Sequence, residues 1–501
     1  MALSSAVAVA GAAALAIVAG RRRDLSMRAG RPLSSTRRSG RNAQLAALTA
    51  RAGRRHAVTS ARQVFASAPR REQLRTELQL RTTADVVEAL GSMKGALMKL
   101  GQMASYLDAG LPAPVRDALA SLQQDAPPMS AELAAGVVER ELGGPPDQVF
   151  AEWDPHPIAA ASIGQVHRAI THDGQAVAVK VQYPGVDEAI RADLDNSSLL
   201  LTLVSLAFPG LEAGPLVDEL RARLLEELDY RNEAANQQRF AGLFASHPFI
   251  RIPAVVPSLS SGRVLTSELA TGARYAEVLD WPAGERDLAG ETIFRFVFGS
   301  IYRVLAFNGD PHPGNYLFEE GGRVTFLDFG LVKWFADQDV KLLGEMVRSI
   351  VVDRDIAAYR RAVEAAGFLQ PDPALSDEQV ADYFGHYYEL VLRGGPITVD
   401  TDYASETVRH FFNASHEVVR RANIPPAFVI LQRINLGLYA VLGGLRATAD
   451  WRRIAEELWP FVDAPPSTEL GRLEADWRAT RAAQATRAAQ ATRAARTRPG
   501  Q

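Results

Sequence analysis

Alternating apolar residues mark one strand in the middle of the chain. Val177, Val179 and Val181 are separated by Ala178 and Lys180, and this period of two predicts a strand with one buried face. A lysine in such a strand needs a partner for its charge, or a stem that carries the ammonium group out to water. The strand alone leaves both explanations open.

Helical spacing of apolar residues occurs on both sides of this strand. Leucine and valine recur every three or four residues over about 72–125, which predicts helices. The stretch 428–445 is apolar but is interrupted by Gln432, Arg433 and Asn435. It therefore predicts a core helix and not a membrane span.

Another helix is predicted around EELDYRNEAANQQ, residues 226–238. At 100° per residue, one apolar stripe contains Leu224, Leu225, Leu228 and Ala235. The opposite face contains Glu226, Asp229, Glu233 and Asn236. A solvated acidic face is the ordinary interpretation of this pattern. The alternative is that Glu233 or Glu227 pairs with Lys180.

The stretches FNGDPHPGNYLF and VTFLDFG place three oxygen-donor side chains at a regular spacing. Asp310 and Asn315 form D-x4-N, and Asp328 follows thirteen residues later and opens Asp-Phe-Gly. Phosphoryl transfer needs such a set, because one carboxylate orients the attacking oxygen while an amide and a second carboxylate hold Mg²⁺. Turn capping is the alternative, since the two prolines and the glycine of this loop forbid helix. The spacing agrees with the catalytic loop and metal-binding segment of protein kinases.

A β-hairpin is predicted over PIAAASIGQVHRAI, residues 157–170, just before the lysine strand. Its turn is predicted over a run of small residues, Ala159, Ala160, Ala161 and Ser162. Kinases have a Gly-rich phosphate cover at this position, and backbone N–H groups here could face phosphate with less freedom than glycine gives. A plain hairpin is the alternative.

Two further stretches bear on the class of substrate. GRVLTSELATG, residues 262–272, predicts a strand that leads into a linker, with Glu268 near a hinge between two lobes. After Asp328 a helical pattern resumes within about ten residues, without the Ala-Pro-Glu that ends the activation segment of peptide-phosphorylating kinases. This argues for a small or lipid-like substrate, or for ATP hydrolysis alone. In GALMKLGQMAS, Lys99 and Gln102 share one helix face, and composition alone favours a solvated polar face.

Composition limits the chemistry. The chain has 501 residues, enough for two or three domains, and its 47% hydrophobic content is typical of a globular protein. It has no cysteine, which excludes disulfides, zinc–thiolate sites and thiol nucleophiles. Residues 1–71 hold fourteen arginines and one acid, Asp24, so they carry +13 and the remainder carries −16 of the total of −3.

The two ends of the chain have unusual compositions. Residues 2–20 are uncharged and precede Arg21–Arg23, so they are just long enough for a membrane helix with the following body in the cytoplasm. A soluble or surface-lying helix is the alternative, because the segment is mostly alanine. The Arg-rich stretch 21–71 is interpreted as a linker that attracts anionic headgroups, and its lack of interleaved aromatics argues against nucleic acid. The repeat ATRAAQ in 479–496 predicts nascent helix or disorder.

Six motifs together resemble the UbiB-like (AarF) atypical kinase family over about residues 80–460. They follow the family's order: KLGQ at 99–102, AAASIGQVH at 159–167, VAVKVQYPG at 177–185, ELDYRNEAAN at 227–236, DPHPGN at 310–315 and LDFG at 327–330. One position departs from the family pattern. The family commonly has His-Ala before DPHPGN, where this chain has Asn308-Gly309. The usual loop-bracing histidine is absent, which leaves the rigidity of the loop open but not the metal set.

The resemblance implies a role for each matching position. Lys180 would bind the nucleotide with Glu233 as its partner, and Asp310 would be the catalytic acid. Asn315 and Asp328 would be the Mg²⁺ ligands. Further nucleotide contacts would come from Ala159, Ala160, Ala161, Ser162 and Glu268. Peptide substrates would be blocked by a regulatory set, Lys99 and Gln102 in contact with Glu227 and Asp229.

The resemblance also implies a fold class: α+β, bilobal and protein-kinase-like, with a small β-rich N-lobe, a helical C-lobe and an N-terminal helical extension. The expected domains are an N-terminal anchor at 1–20, an Arg-rich linker at 21–71, a helical extension with KLGQ at 72–142, an N-lobe at 143–270, a C-lobe at 271–465 and a basic Ala/Arg-rich tail at 466–501.

The implied function is that of an atypical kinase or ATPase, not a conventional protein kinase, with ATP and Mg²⁺ as cofactors. It would support isoprenoid quinone or lipid metabolism at the cytoplasmic face of a membrane. The expected partners are ATP and ADP, an isoprenoid lipid or quinone intermediate and an anionic membrane surface, with no nucleic acid. The alternatives are a nucleotide- or lipid-binding pseudokinase scaffold and a small-molecule phosphotransferase with a stable product.

Overall fold

The computed structural model describes residues 129–161, 163–194, 221–222, 225–308, 311–371, 374–403, 406, 410, 418 and 437–496. These residues fall into two compact units. The first runs to His167 and resumes at Lys180, and the second contains 168–179 and the described residues from 221 onward. The leader 1–71 and the predicted helix around Lys99 lie outside the described residues.

The described part of the first unit begins with helix α1, Ala131–Leu142. Ser130 caps its start, because the Ser130 side chain accepts the backbone N–H of Leu133 at 3.4 Å. Gly143 ends the helix in the left-handed region, with φ +84°. Helical spacing buries Ala134, Val137 and Val138 on one face. Two more helices belong to this unit, α2 at Pro146–Val149 and α3 at Val186–Leu194.

A four-stranded sheet has the strand order β1-β2-β3-β5. Its strands are β1 at Glu152–Ala161, β2 at Gly164–Ile170, β3 at Ala176–Gln182 and β5 at Val264–Glu268. The alternating pattern of β3 is confirmed, since Val177, Val179 and Val181 are fully buried while Lys180 is half-buried. The period of two therefore set both the strand and its buried face.

Helices make up most of the described residues of the second unit. Those before residue 350 are α4 at Tyr230–Leu243, α5 at Tyr275–Val278, α6 at Ala283–Gly299 and α7 at Asp337–Val347. The later ones are α8 at Ile356–Ala365, α9 at Asp377–Gly385, α10 at Glu389–Leu392, α11 at Trp451–Leu458 and α12 at Glu469–Arg496. A π-helical turn, Ser300–Val304, continues α6 towards the next strand.

Short strands of the second unit form small sheets beside these helices. One sheet has the order β4-β8-β7, with β4 at Ile250–Arg251, β7 at Tyr316–Glu319 and β8 at Arg323–Phe326. A second pairs β6, Ala306–Asn308, with β9, Val332–Trp334. A third pairs β10, Ile397–Thr398, with β11, Thr448–Ala449. The aromatic rings of Phe296 and Phe326 stack at 3.8 Å, which joins α6 to β8 in the core.

The predicted core helix at 428–445 is confirmed in its described part. Leu438, Val441, Leu442 and Leu445 are fully buried. Among the residues that the structure describes, none of the helices is both long and apolar enough to cross a membrane.

A buried ionic network lies where α6, α11 and α12 meet. The guanidinium of Arg295, 1% exposed, contacts Glu291 at 2.7 Å, Glu457 at 2.9 Å and Glu474 at 3.2 Å. Arg303 also binds Glu474. Each carboxylate is itself nearly buried, so the charges are compensated by one another and not by water.

The C-terminal repeat forms a continuous helix in its described part. Helix α12 spans 28 residues, so the predicted disorder is wrong and the predicted helical tendency is correct. Its first turns are held by buried Leu470 and Glu474, while residues 482–487 are exposed. Alanine and arginine favour helix, and packing of the first turns provides the nucleus that an isolated repeat lacks.

His247 follows α4 and makes the fold sensitive to acid. Burial lowers the pKa of His247 to about 3, and the charges of Arg295, Arg303 and Arg481 act in the same direction. The Nδ1 atom of His247 accepts the backbone N–H of Ile250 at 3.1 Å, which a doubly protonated ring cannot do.

We expect the free energy of unfolding to fall as the pH drops from 6.5 towards 3, because the unfolded chain then binds a proton at His247 that the folded chain does not. Each unit of pKa difference corresponds to about 1.4 kcal/mol. Urea unfolding at several pH values measures this, with His247→Asn as the comparison. The variant should show a shallower pH dependence, and parallel curves for both proteins would contradict the assignment.

Candidate functional site

The β7–β8 hairpin brings Asn315 and Asp328 to the same end of a sheet. Tyr316 pairs with Phe326 in the antiparallel register, so the preceding residue on one strand and the following residue on the other are neighbours. The backbone N–H of Leu327 donates to the carbonyl of Asn315 at 3.0 Å. Strand pairing therefore brings Asn315 and Asp328 to the same end of the hairpin, with Leu327 as the direct backbone partner of Asn315.

The loop before Asn315 is a tight turn, as its sequence predicts. Pro313–Asn315 form one turn of 3-10 helix, and the side chain of His312 accepts the N–H of Gly314 at 3.0 Å. A Cβ atom at Gly314 would lie 3.0 Å from the His312 ring, so the close approach favours glycine. Asp310, the predicted catalytic acid, lies outside the described residues.

Asn308 braces this region in place of the absent histidine. It is the last residue of β6 and is nearly buried. Its side-chain Nδ2 donates to the backbone carbonyl of Asp328 at 2.6 Å. Asparagine thus supplies a hydrogen-bond donor at the sequence position where the family has histidine. Residues 309–310 lie outside the described residues, so the rigidity of the loop stays a prediction. The sequence signal was a polar residue at a buried strand end, two positions before Asp310.

We expect Asn308→Ala to reduce turnover of the proposed nucleotide reaction roughly tenfold, because it leaves the Asp328 carbonyl without this donor at a cost of about 1–3 kcal/mol. Phosphate release under saturating ATP measures the change. Asn308→His, which restores a ring N–H donor, is the matched control and should recover activity. Equal activity in the alanine variant and the parent chain would show that the brace is dispensable.

Three carboxylate side chains converge on Gly330, the glycine of Asp-Phe-Gly. The Oδ1 atom of Asp328 accepts the N–H of Gly330 at 2.9 Å. A Cβ atom at Gly330 would lie 3.3 Å from this oxygen, 3.6 Å from Oε2 of Glu233 and 3.7 Å from Cγ of Glu227. The two carboxylate oxygens beside this glycine, from Asp328 and Glu233, favour a bound cation. The structure thus unites three predicted site residues from two distant motifs.

Helix α4 differs from its predicted orientation. Asp229 is its N-cap and accepts the N–H of Arg231 at 3.0 Å, so the helix begins after Leu225 and Leu228 instead of continuing their stripe. The buried positions are Tyr230, Glu233, Gln237 and Phe240, whereas Ala235 is exposed. The predicted apolar stripe and the solvated face at Glu233 are both wrong, since the carboxylate of Glu233 is on the buried face.

The same helix is fastened to the Asp-Phe-Gly segment. The side chain of Asn236 donates to the carbonyl of Phe329 at 3.2 Å and accepts the indole N–H of Trp334 at 3.2 Å. The ring of Phe329, fully buried, packs against Phe240 with centroids 5.1 Å apart. Sequence reasoning placed Asn236 on the helix without this role, which requires knowledge of the partner segment.

Other predicted residues have different surroundings. Glu268 ends β5 as expected, but its carboxylate accepts the N–H of Ala254 at 3.2 Å and lies 3.8 Å from Arg251. It is thus engaged in holding its own strand. Lys180 belongs to the first unit and Glu233 to the second, and their pairing stays a prediction.

The alanine-rich turn is corrected by the structure. Ala159, Ala160 and Ala161 are the last residues of β1 and not a loop. Only two residues separate them from β2. The turn of the hairpin therefore comes after the run of alanines, which continue the extended strand. Ser162, Lys99 and Gln102 lie outside the described residues, and their roles stay predictions.

The donor set fits Mg²⁺ bound together with phosphate. Asp328 and Asn315 provide one carboxylate and one amide oxygen, and Mg²⁺ typically takes one or two protein carboxylates with substrate phosphate and water. Within the described ranges, no group of three or more His, Asp or Glu side chains has the arrangement of a metal site made of protein alone.

Comparison with known proteins gives the family. A sequence model described as the ABC1 atypical kinase-like domain matches residues 121–363. The chain belongs to this family. The UbiB-like (AarF) resemblance of its motifs is therefore confirmed, and with it the α+β kinase-like fold class.

Individual members of the ABC1 family are similar over large parts of the chain. Atypical kinase COQ8B, mitochondrial, from Rattus norvegicus is 32% identical over 68% of this chain and 64% of its own length. AarF domain-containing protein kinase 1 from Mus musculus is 32% identical over 56% and 55%. The chain thus spans less than two thirds of these curated relatives.

A solved structure agrees with this assignment. The complex of Rv3197 with erythromycin from Mycobacterium tuberculosis is 31% identical, has a TM-score of 0.56 and is matched over 98% of its length by 78% of this chain. The likeness to this solved structure therefore extends over nearly the whole of the solved chain.

Proposed function

We propose that the protein is a Mg²⁺-ATP-dependent atypical kinase or ATPase that supports isoprenoid quinone or lipid metabolism at the cytoplasmic face of a membrane. The observation that carries the proposal is the approach of the Asp328, Glu233 and Glu227 side chains to Gly330, with Asn315 at the same end of the β7–β8 hairpin as Asp328. Membership in the ABC1 atypical kinase-like family supports the same chemistry.

Each residue has a definite task in this proposal. Asp328 and Asn315 hold Mg²⁺, which when bound neutralises charge on the phosphates. Asp310 accepts a proton from the attacking oxygen and orients it. Lys180 would bind the phosphates and pair with Glu233, whose side chain lies on the buried face of α4 and is 3% exposed.

The proposed substrate is not a peptide. Helix α7 begins at Asp337, nine residues after Asp328, and β9 occupies three of the intervening positions. This leaves little chain for a docking surface of the kind that peptide kinases use. We further propose that Lys99 and Gln102 contact Glu227 and Asp229 and restrict access to small or lipid-like acceptors.

The membrane part of the proposal comes from the charge of the chain. Residues 21–71 carry all of the +13 charge of the leader and follow its uncharged segment. They would attract anionic headgroups. An isoprenoid lipid or quinone intermediate is the proposed partner because the family resemblance implies it. ATP and ADP are the proposed nucleotides, and no nucleic-acid partner is proposed.

The fate of a radiolabelled γ-phosphate tests the proposal. The full chain is incubated with labelled ATP and Mg²⁺, with and without liposomes that contain anionic lipid. Label in inorganic phosphate supports an ATPase, and label in a lipid product supports a phosphotransferase. Nucleotide binding without release would favour a pseudokinase scaffold and overturn the proposed activity.

Asp310→Asn provides the catalytic control in the same assay. It removes the proposed proton acceptor but keeps the size of the side chain, so we expect phosphate release to fall about 100-fold or more. ATP affinity should change much less, because Asp310 is not a proposed metal ligand. Unchanged release would reject its catalytic role while leaving the nucleotide site untouched.

A further inference from the structure

Helix α12 packs its N-terminal half against the end of α4. The indole N–H of Trp477 donates to the carbonyl of Ala245 at 3.1 Å. Its ring lies parallel to that of Phe244, with an interplanar angle of 6°, and edge-on to His247 with centroids 4.4 Å apart. Trp477 thus fills the space directly after α4.

Arg481, one turn further along α12, caps the C-terminus of α4. Its guanidinium donates to the carbonyl of Leu243 and to that of Gly242 at 3.2 Å. These carbonyls belong to the last turn of α4, where intrahelical partners are missing and a positive charge is favourable. The guanidinium also lies 5.2 Å from the Trp477 ring, so the two residues support one another.

Contacts nearer the start of α12 fix the helix to the rest of the second unit. Glu474 binds Arg295 and Arg303 in the buried ionic network, and Leu470 is buried beside it. Leu470, Glu474, Trp477 and Arg481 follow helical spacing, so they share one face. A single face of α12 therefore connects α6 with the end of α4.

Groups along the whole of α4 contact Asp-Phe-Gly. Glu233 in its first turn lies beside Gly330, Asn236 in its middle binds the carbonyl of Phe329, and Phe240 in its last turn packs on the Phe329 ring. A helix of fourteen residues is about 21 Å long and transmits displacement of one end to the other.

We propose that α12 is a positioning element for the nucleotide site: Trp477 and Arg481 hold α4 so that Glu233 and Asn236 stay on the Asp-Phe-Gly segment. The effect on catalysis rests on the proposed function, whereas the effect on α4 does not. Trp477 and Arg481 are positioning residues, since neither touches the site itself.

The repeat in the tail supplies a matched control. Arg481 and Arg487 occupy the same position in successive ATRAAQ units. Six residues rotate an α-helix by about 600°, which places the second arginine about 240° away from the first. Arg487 is accordingly exposed, whereas Arg481 is half-buried on α4. Two arginines at equivalent positions of the repeat therefore differ, because Arg481 contacts α4 and Arg487 is exposed.

Hydrogen–deuterium exchange of the full chain tests the proposal directly. In Arg481→Ala and Trp477→Ala, exchange within 230–243 and 327–334 should become about five- to tenfold faster. Arg481→Lys, which keeps one cationic donor, should restore most of the protection, and Arg487→Ala should match the parent chain. Arg481→Ala keeps the test usable if Trp477→Ala fails to fold.

Kinetics separate this inference from the proposed function. For Arg481→Ala we expect KM for ATP to rise about fivefold or kcat to fall by a similar factor, with Arg487→Ala unchanged. Faster exchange in α4 in a chain without ATPase activity would uphold the mechanical link and refute the activity alone. Exchange that changes only within α12, or kinetics that stay equal despite faster exchange in α4, would overturn the positioning role.

Discussion

Asp328→Asn is expected to reduce phosphate release at least about 100-fold while leaving the fold intact. An asparagine oxygen can still accept the Gly330 N–H, which Asp328 accepts at 2.9 Å, so the local backbone should keep its geometry. The substitution removes the negative charge that would hold Mg²⁺ against the phosphates. Loss of activity would then come from the charge and not from misfolding.

The measurement is phosphate release at saturating ATP over a range of Mg²⁺ concentrations. Asp463→Asn makes the same chemical change at an exposed position and should retain parental activity. Circular dichroism and thermal unfolding check that both variants fold. Full activity of Asp328→Asn at every Mg²⁺ concentration would mean that this carboxylate is not a metal ligand.

Arg295→Met is expected to lower the free energy of unfolding by about 3–5 kcal/mol. The substitution removes an ion-pair partner from three carboxylates whose side chains are 5–8% exposed, those of Glu291, Glu457 and Glu474. Methionine fills much of the volume but leaves their charges without this partner. The ionic network joins α6, α11 and α12, so the loss should loosen the C-terminal helix as well.

Urea unfolding of the parent chain and the variant measures this change. Arg323→Met provides the matched comparison, because Arg323 pairs with Glu319 at 3.1 Å on the surface, with the two side chains 54% and 39% exposed. An exposed pair of this kind contributes about 0–1 kcal/mol. Equal effects of the two substitutions would show that burial of Arg295 does not make its ion pairs more important.

Local periodicity correctly predicted those parts of the fold whose structure depends on residues close together in the sequence. The valines of β3 gave both its strand and its buried face. Asn315 and Asp328 were found from spacing, and the hairpin between them accounts for that spacing, since eight residues in two paired strands bring its ends together. In these places the local pattern and the tertiary structure agree.

Sequence patterns did not predict which face of a helix is buried when that face packs against a segment distant in the sequence. The face of α4 with Glu233 and Gln237 is buried because it meets the Asp-Phe-Gly segment and the carbonyl of Pro253, which a helical wheel does not contain. The hydrogen bond from Asn308 to the carbonyl of Asp328 likewise joins two segments that lie 20 residues apart in the sequence.

The tail shows the same limit in another form. Its Ala/Arg composition predicts helical tendency but not which turn is docked. Leu470 and Trp477, seven residues apart, were the available signal, since they share a face with Arg481. The repeat alone could not reveal that Arg481 caps another helix.

Calorimetric titration of the full chain with ATP, in Mg²⁺ and in EDTA, tests the central claim most directly. The account predicts that Mg²⁺ tightens ATP binding by about tenfold or more, and that Asp328→Asn abolishes this difference while Asp463→Asn preserves it. Equal ATP affinity of the parent chain in Mg²⁺ and EDTA, or no binding in either, would contradict a Mg²⁺–nucleotide site at Asp328.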